Sequence, residues 1–123
     1  MDVVTVLAVD DQPVFRKAVR ELIEATHGFE QVGEAASGPQ GLQAAMRTRP
    51  DLVLLDVRMP GMDGIETARR LRDVCPDAVV VLISIGPVTD LPAGIGTAAH
   101  LRKQELSPAT LRRVWDANAQ ERT

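Results

Sequence analysis

The chain contains one cysteine, Cys75. No internal disulfide can form, and a reducing compartment is expected. Its two histidines, His27 and His100, lack partners at ligand spacing, which argues against a transition-metal site. No apolar stretch reaches the ~20 residues needed to cross a bilayer. The first apolar run is short, follows Asp2 and ends in acids, so no signal peptide is read here. A basic excess is missing too. The formal net charge of -3 speaks against a nucleic-acid-binding surface within the chain. Aromatic residues are few, and Trp115 and the four methionines read as packing rather than recognition. These absences leave a cytoplasmic domain with no membrane or nucleic-acid role as the expectation.

What is present is an alternation. The 123 residues suit one domain, 1–123, and an apolar content of 45% allows a core without covalent staples. Val3 to Val9 reads as a strand, and Val14 to Ala25 as an amphipathic helix with Pro13 in its first turn. Its inward side is read as Val14, Ala18, Leu22 and Phe15, Val19, Ile23. Gln31 to Ala36 is a weaker strand. Ser37 opens a helix carrying Leu42, Ala45 and Met46, which Pro50 stops. Asp51 to Leu55 is a fully apolar strand, and Asp63 caps a helix from Gly64 to Val74. Ala78 to Ile83 and Ala98 to Arg102 are further strands, and Ser107–Pro108 starts a helix bearing Leu111, Val114 and Trp115. Strands alternating with helices predict an α/β, doubly wound parallel sheet covered on both faces. Functional groups in such folds gather at the carboxyl ends of the strands.

The chemistry is concentrated at those ends. The run VLAVDDQP finishes in Asp10 and Asp11, LVLLD in Asp56, VVVLIS in Ser84, and AAHLRK in Lys103. Two like charges ~4 Å apart repel by roughly 4 kcal/mol at an effective dielectric near 20, so the acid pair calls for a positive partner. Three carboxylates suit a hard cation such as Mg²⁺, which also binds phosphate oxygens. Asp56 then serves either as a further ligand or as a nucleophile that takes a phosphoryl group. Ser84 and Lys103 supply donors for the phosphoryl oxygens.

With VDDQP, LLDVRMPGMDG, the Ser84 strand end and the Lys103 strand end in this order, the chain resembles the response-regulator receiver domains, or CheY-like domains. The QP after the acid pair and LSPATL in the last helix resemble receivers of LuxR-type DNA-binding regulators. The resemblance implies a five-stranded flavodoxin-like sheet of order 2-1-3-4-5. It implies Asp56 as phosphoacceptor in a two-component system, with a histidine kinase or phosphotransfer protein as donor. Asp11, Asp56 and the backbone carbonyl of Arg58 would hold Mg²⁺ directly, with Asp10 acting largely through water. Lys103 would pair with Asp56 and the phosphoryl group, and Ser84 would move to hydrogen-bond it. Homodimerisation is left open. The domain would assist its own phosphoryl transfer rather than act as an enzyme. A phosphatase for external substrates would need a second acid after the nucleophile as proton donor, and position 58 is Arg58.

Three positions depart from the family's pattern. His100 stands where an aromatic is usual, three residues before Lys103. Ile85 replaces a small residue after Ser84, where it is expected to crowd the phosphoryl entrance. GPVTDLPAGIGT, Gly86 to Thr97, occupies the place of the fourth helix. Gly costs ~1 and Pro ~3 kcal/mol in a helix interior, so a shortened helix or a loop is expected there. Ile85 and the degenerate fourth-helix segment support the alternative of a receiver-fold binding module that signals weakly or without phosphorylation. The acid, hydroxyl and lysine set supports the phosphorylation-driven switch.

Overall fold

The computed structural model describes residues 3–86 and 99–119. In chain order these form β1 (Val4–Val9), α1 (Pro13–Glu24), β2 (Phe29–Ala35), α2 (Gly38–Thr48), β3 (Leu52–Asp56), α3 (Gly64–Val74), β4 (Val79–Ser84), β5 (Ala99–Arg102) and α4 (Pro108–Ala119). One turn of 3-10 helix, Lys103–Glu105, follows β5. The five strands make one all-parallel sheet in the order β2-β1-β3-β4-β5. The doubly wound, flavodoxin-like architecture read from the sequence is therefore present. The expectation for residues 86–97 falls, apart from Gly86, outside the described residues.

The apolar runs become strands because both of their faces are covered. Every residue of β3 and β4 is buried. On one face Leu7, Val9, Val53, Leu55, Val80 and Leu82 pack with Ala44, Ala45, Ala68 and Leu71 of α2 and α3. On the other, Val6, Ala8, Leu54, Val81 and Ile83 pack with residues of α1 and α4, including Ile23 and Leu111. The alternation of these two sets along each strand is the period-2 side-chain rule.

The helix starts follow their capping residues. Ser37 accepts a hydrogen bond from Gln40 N–H, Asp63 from Glu66 N–H and Ser107 from Thr110 N–H. Three helix-face readings need correction. Val14 is 84% exposed and Ala18 is also exposed, because the core-facing side of α1 narrows to Val19 and Ile23, with Phe15 and Leu22 at its margin. Met46 is half exposed, since α2 rests on the sheet through Gly41, Ala44 and Ala45. β2 begins at Phe29, two residues earlier than read, because Phe29 fills the core beneath α4 although Glu30 is polar and exposed.

Among the described residues, no helix is long and apolar enough to cross a membrane.

Candidate functional site

The carboxyl ends of β1, β3, β4 and β5 bring the expected residues to one edge of the sheet. Asp10 follows β1 and its N–H bonds to Ala35 O at 3.0 Å, which ties the strand end to β2. Its Oδ1 accepts from Gln12 N–H at 2.8 Å, and Arg16 Nη1 donates to its carbonyl at 2.6 Å. Asp56 closes β3 opposite Ile83. Beyond it Val57 N–H bonds to Ile83 O, and Arg58 N–H turns back onto Asp56 Oδ1 at 3.2 Å. Carboxylate oxygens of Asp10, Asp11 and Asp56 lie within 4.8 Å of one another.

Lys103 enters this cluster from the end of β5. Its Nζ is 3.0 Å from Asp10 Oδ2 and 3.8 Å from Asp56 Oδ2. Asp10 Oδ2 is buried and has this ion-pair contact but no partner in hydrogen-bond geometry, so it keeps acceptor capacity. Burial pushes the Asp56 carboxyl up from 3.8 to about 6, and the charge of Asp10 adds to that rise. The Arg58 N–H and the Lys103 ammonium oppose it. Three carboxylates facing one ammonium leave an excess of negative charge. The donor set is all oxygen. It fits a hard divalent cation and offers nothing soft.

Two residues that hold Lys103 were not anticipated. Gln12 Oε1 accepts from Nζ at 3.3 Å, and the Phe15 ring lies beneath the ammonium, 4.0 Å from its centroid. The Gln12 in VDDQP was visible, but nothing in the sequence indicates that it meets a residue 91 positions away. Gly64, the first residue of α3, has a strict reason to be glycine. A Cβ there would come within 2.2 Å of Asp56 O and 2.7 Å of Val57 Cα. Gly64 N–H also bonds to Val57 O at 2.8 Å, so α3 abuts the backbone that carries Asp56.

Ser84 is buried at the end of β4, with its Oγ 2.7 Å from His100 Nε2. Ile85 turns outward and is 68% exposed.

The family model for the response regulator receiver domain matches residues 6–105. The chain belongs to this family. This receiver is 42% identical over 81 residues to the nitrate/nitrite response regulator protein NarL of Escherichia coli K12, covering 66% of this chain and 38% of that protein. It is 34% identical over 103 residues to the response regulator GacA of Pseudomonas viridiflava, covering 81% of this chain and 48% of that protein. The receiver thus spans less than half the length of either relative. Among solved structures it superposes on the signal receiver domain of a putative NarL from Mycobacterium tuberculosis with a TM-score of 0.84 at 32% identity, covering 95% of this chain and 97% of that one. A LuxR-family response regulator from Aurantimonas sp. SI85-9A1 gives 0.86 at 27% identity, over 98% and 88% of the two chains. The receiver is therefore close to those of LuxR-type regulators.

Proposed function

We propose that this receiver is a phosphoacceptor switch, with Asp56 taking a phosphoryl group from a histidine kinase or phosphotransfer protein. The observation that carries the reading is the meeting of three carboxylates with the Lys103 ammonium between Asp10 and Asp56. In the transfer, an oxygen of ionised Asp56 attacks phosphorus. A P–O bond forms as the P–N bond to the donor imidazole breaks. The electron pair stays on that nitrogen, which takes a proton from solvent. Asp56, with a pKa of about 6, is largely ionised at neutral pH and available as the nucleophile.

Asp11, Asp56 and the Arg58 carbonyl would hold Mg²⁺, with Asp10 acting through water. The chemistry the ion supplies when bound is positive charge against the phosphoryl oxygens. Lys103, steadied by Gln12 and Phe15, neutralises charge on Asp56 before transfer and on the phosphoryl group after it. Ser84 provides the hydroxyl that hydrogen-bonds the phosphoryl group. The domain assists its own modification and processes no external substrate. A cytoplasmic location accompanies this reading.

The second reading, a receiver-fold module that signals weakly or without phosphate, draws on Ser84. Its hydroxyl proton is already donated to the Gly86 carbonyl. One experiment separates the two. Incubation with a small-molecule phosphodonor and Mg²⁺ should add one phosphoryl group by intact mass, and Asp56→Asn should take none. Labelling that persists in Asp56→Asn places the acceptor elsewhere. No labelling of the native chain favours the binding module.

A further inference from the structure

Ser84 and His100 are diagonal neighbours on one face of the sheet. Leu82 is registered with His100 and Ser84 with Arg102. Side chains two apart along a strand share a face, so Ser84 lies beside His100 one pleat further on. His100 Nε2 is 2.7 Å from Ser84 Oγ, and that same Oγ donates to the Gly86 carbonyl.

A hydroxyl has one proton and two lone pairs. The Gly86 carbonyl can only accept, so it takes the Ser84 proton. The contact with His100 must then run the other way, from Nε2–H into a Ser84 lone pair. In the neutral ring this assigns the proton to Nε2. A phosphoryl oxygen is also an acceptor. Ser84 cannot serve Gly86 and a phosphoryl group with a single proton.

We propose that His100 is a positioning residue whose Nε2–H locks the Ser84 hydroxyl onto the Gly86 carbonyl, so that the move of Ser84 to a phosphoryl group on Asp56, which the family resemblance implies, must first break this lock. The second half rests on the phosphoacceptor reading above; the bond and the tautomer do not. The lock biases the free protein toward the parked hydroxyl. A phenylalanine at this position would fill space but could not donate. Removing the donor shifts the population toward a hydroxyl free to turn, by about two- to tenfold for a hydrogen bond of ordinary net strength. The phosphorylation state of Asp56 is then felt at two backbone sites, through the freed Gly86 carbonyl and through His100 on β5.

Two measurements test this on the intact chain. The first needs no phosphodonor. Imidazole correlation spectra of nitrogen-labelled protein should show His100 as the Nε2–H tautomer, and Ser84→Ala should remove that preference. A neutral ring protonated on Nδ1 overturns the proposal. The second is the rate of labelling by a small-molecule phosphodonor with Mg²⁺. His100→Phe should label about two- to tenfold faster than the native chain. His100→Gln, which retains an N–H donor, should restore the native rate, and His100→Phe should have no effect in a Ser84→Ala background. Equal rates for native and His100→Phe proteins overturn the lock. If the native chain takes no label while the Nε2–H tautomer is seen, the phosphoacceptor reading fails, and with it the second half of the proposal alone.

Discussion

Asp10 and Asp56 on one side of the sheet edge, and Ser84 on the other, are each less than a tenth exposed, yet their surroundings differ in kind. The acid half, on β1 and β3, gathers three carboxylates against one ammonium, and Asp10 Oδ2 retains unused acceptor capacity. The hydroxyl half, on β4 and β5, is satisfied, with Ser84 donating to Gly86 and accepting from His100. Burying unbalanced charge costs stability, whereas burying a bonded hydroxyl does not. The acid half therefore holds its geometry at the expense of the fold and stands ready for positive charge. The hydroxyl half contributes to the fold and must be undone to act.

The largest expected effect comes from the backbone beneath the acid half. Gly64→Ala puts a Cβ into Asp56 O and Val57 Cα, neither of which is a flexible side-chain end. Destabilisation of about 1–3 kcal/mol or more is expected by urea unfolding. Tolerance of alanine without loss would show that α3 does not pin the Asp56 backbone.

A matched pair of variants should then move in opposite directions. The folded-state pKa of Asp56 is raised from 3.8 to about 6, so its ionised form costs stability above pH 6 and the cost is gone below 3.8. In chelator, Asp56→Asn should be more stable than the native protein at pH 8, with the gap closing as pH falls from 6 to 4. A two-unit shift sets an upper limit of about 3 kcal/mol, and solvent screening at the sheet edge brings the expected gap to roughly half that. Ser84→Ala should instead lose about 1 kcal/mol, by stranding the Gly86 carbonyl and the His100 donor. A pH-independent gap for Asp56→Asn would break the comparison.

Positive charge should act on the acid half alone. Mg²⁺ at ten times its dissociation constant adds about 1.4 kcal/mol, a rise of several degrees in Tm. Asp11→Ala should shrink the rise and Ser84→Ala should not. A melting curve unmoved by millimolar Mg²⁺ would count against the cation site. The smallest effect is expected at Phe15. Phe15→Leu removes the ring under Lys103 and should cost about 0.5–1 kcal/mol from that contact, measured by chemical unfolding.

The strands and the order of elements were legible because apolar runs such as LVLLD and VVVLIS are buried on both faces, and because Ser37, Asp63 and Ser107 cap helices where their residue types suggest. The converging of Asp10, Asp11, Asp56 and Lys103 follows from their positions at strand ends once the sheet is parallel. The remainder depends on tertiary placement. Gly64 looks like any turn glycine until α3 is seen against the Asp56 backbone. Phe15 reads as core from its helical spacing, and its second partner, Lys103, enters from the far end of the chain. His100 stands in the place of an aromatic, and only the β4–β5 register shows that it reaches Ser84.

The strand order carries a kinetic consequence. β1 pairs with both β2 and β3, so these three strands can associate using the chain from residue 4 to residue 56. All three acids lie in or beside that stretch, while Ser84 and Lys103 arrive with strands added at one edge. Contacts between nearby segments close at lower entropic cost and tend to form early. The three carboxylates are therefore expected to be brought together in the folding transition state, before the hydroxyl half is formed. Mg²⁺ should therefore raise the refolding rate, whereas Ser84→Ala should chiefly quicken unfolding. Stopped-flow chevrons with and without the ion read the two limbs separately, and an ion effect confined to unfolding would reverse this order of assembly.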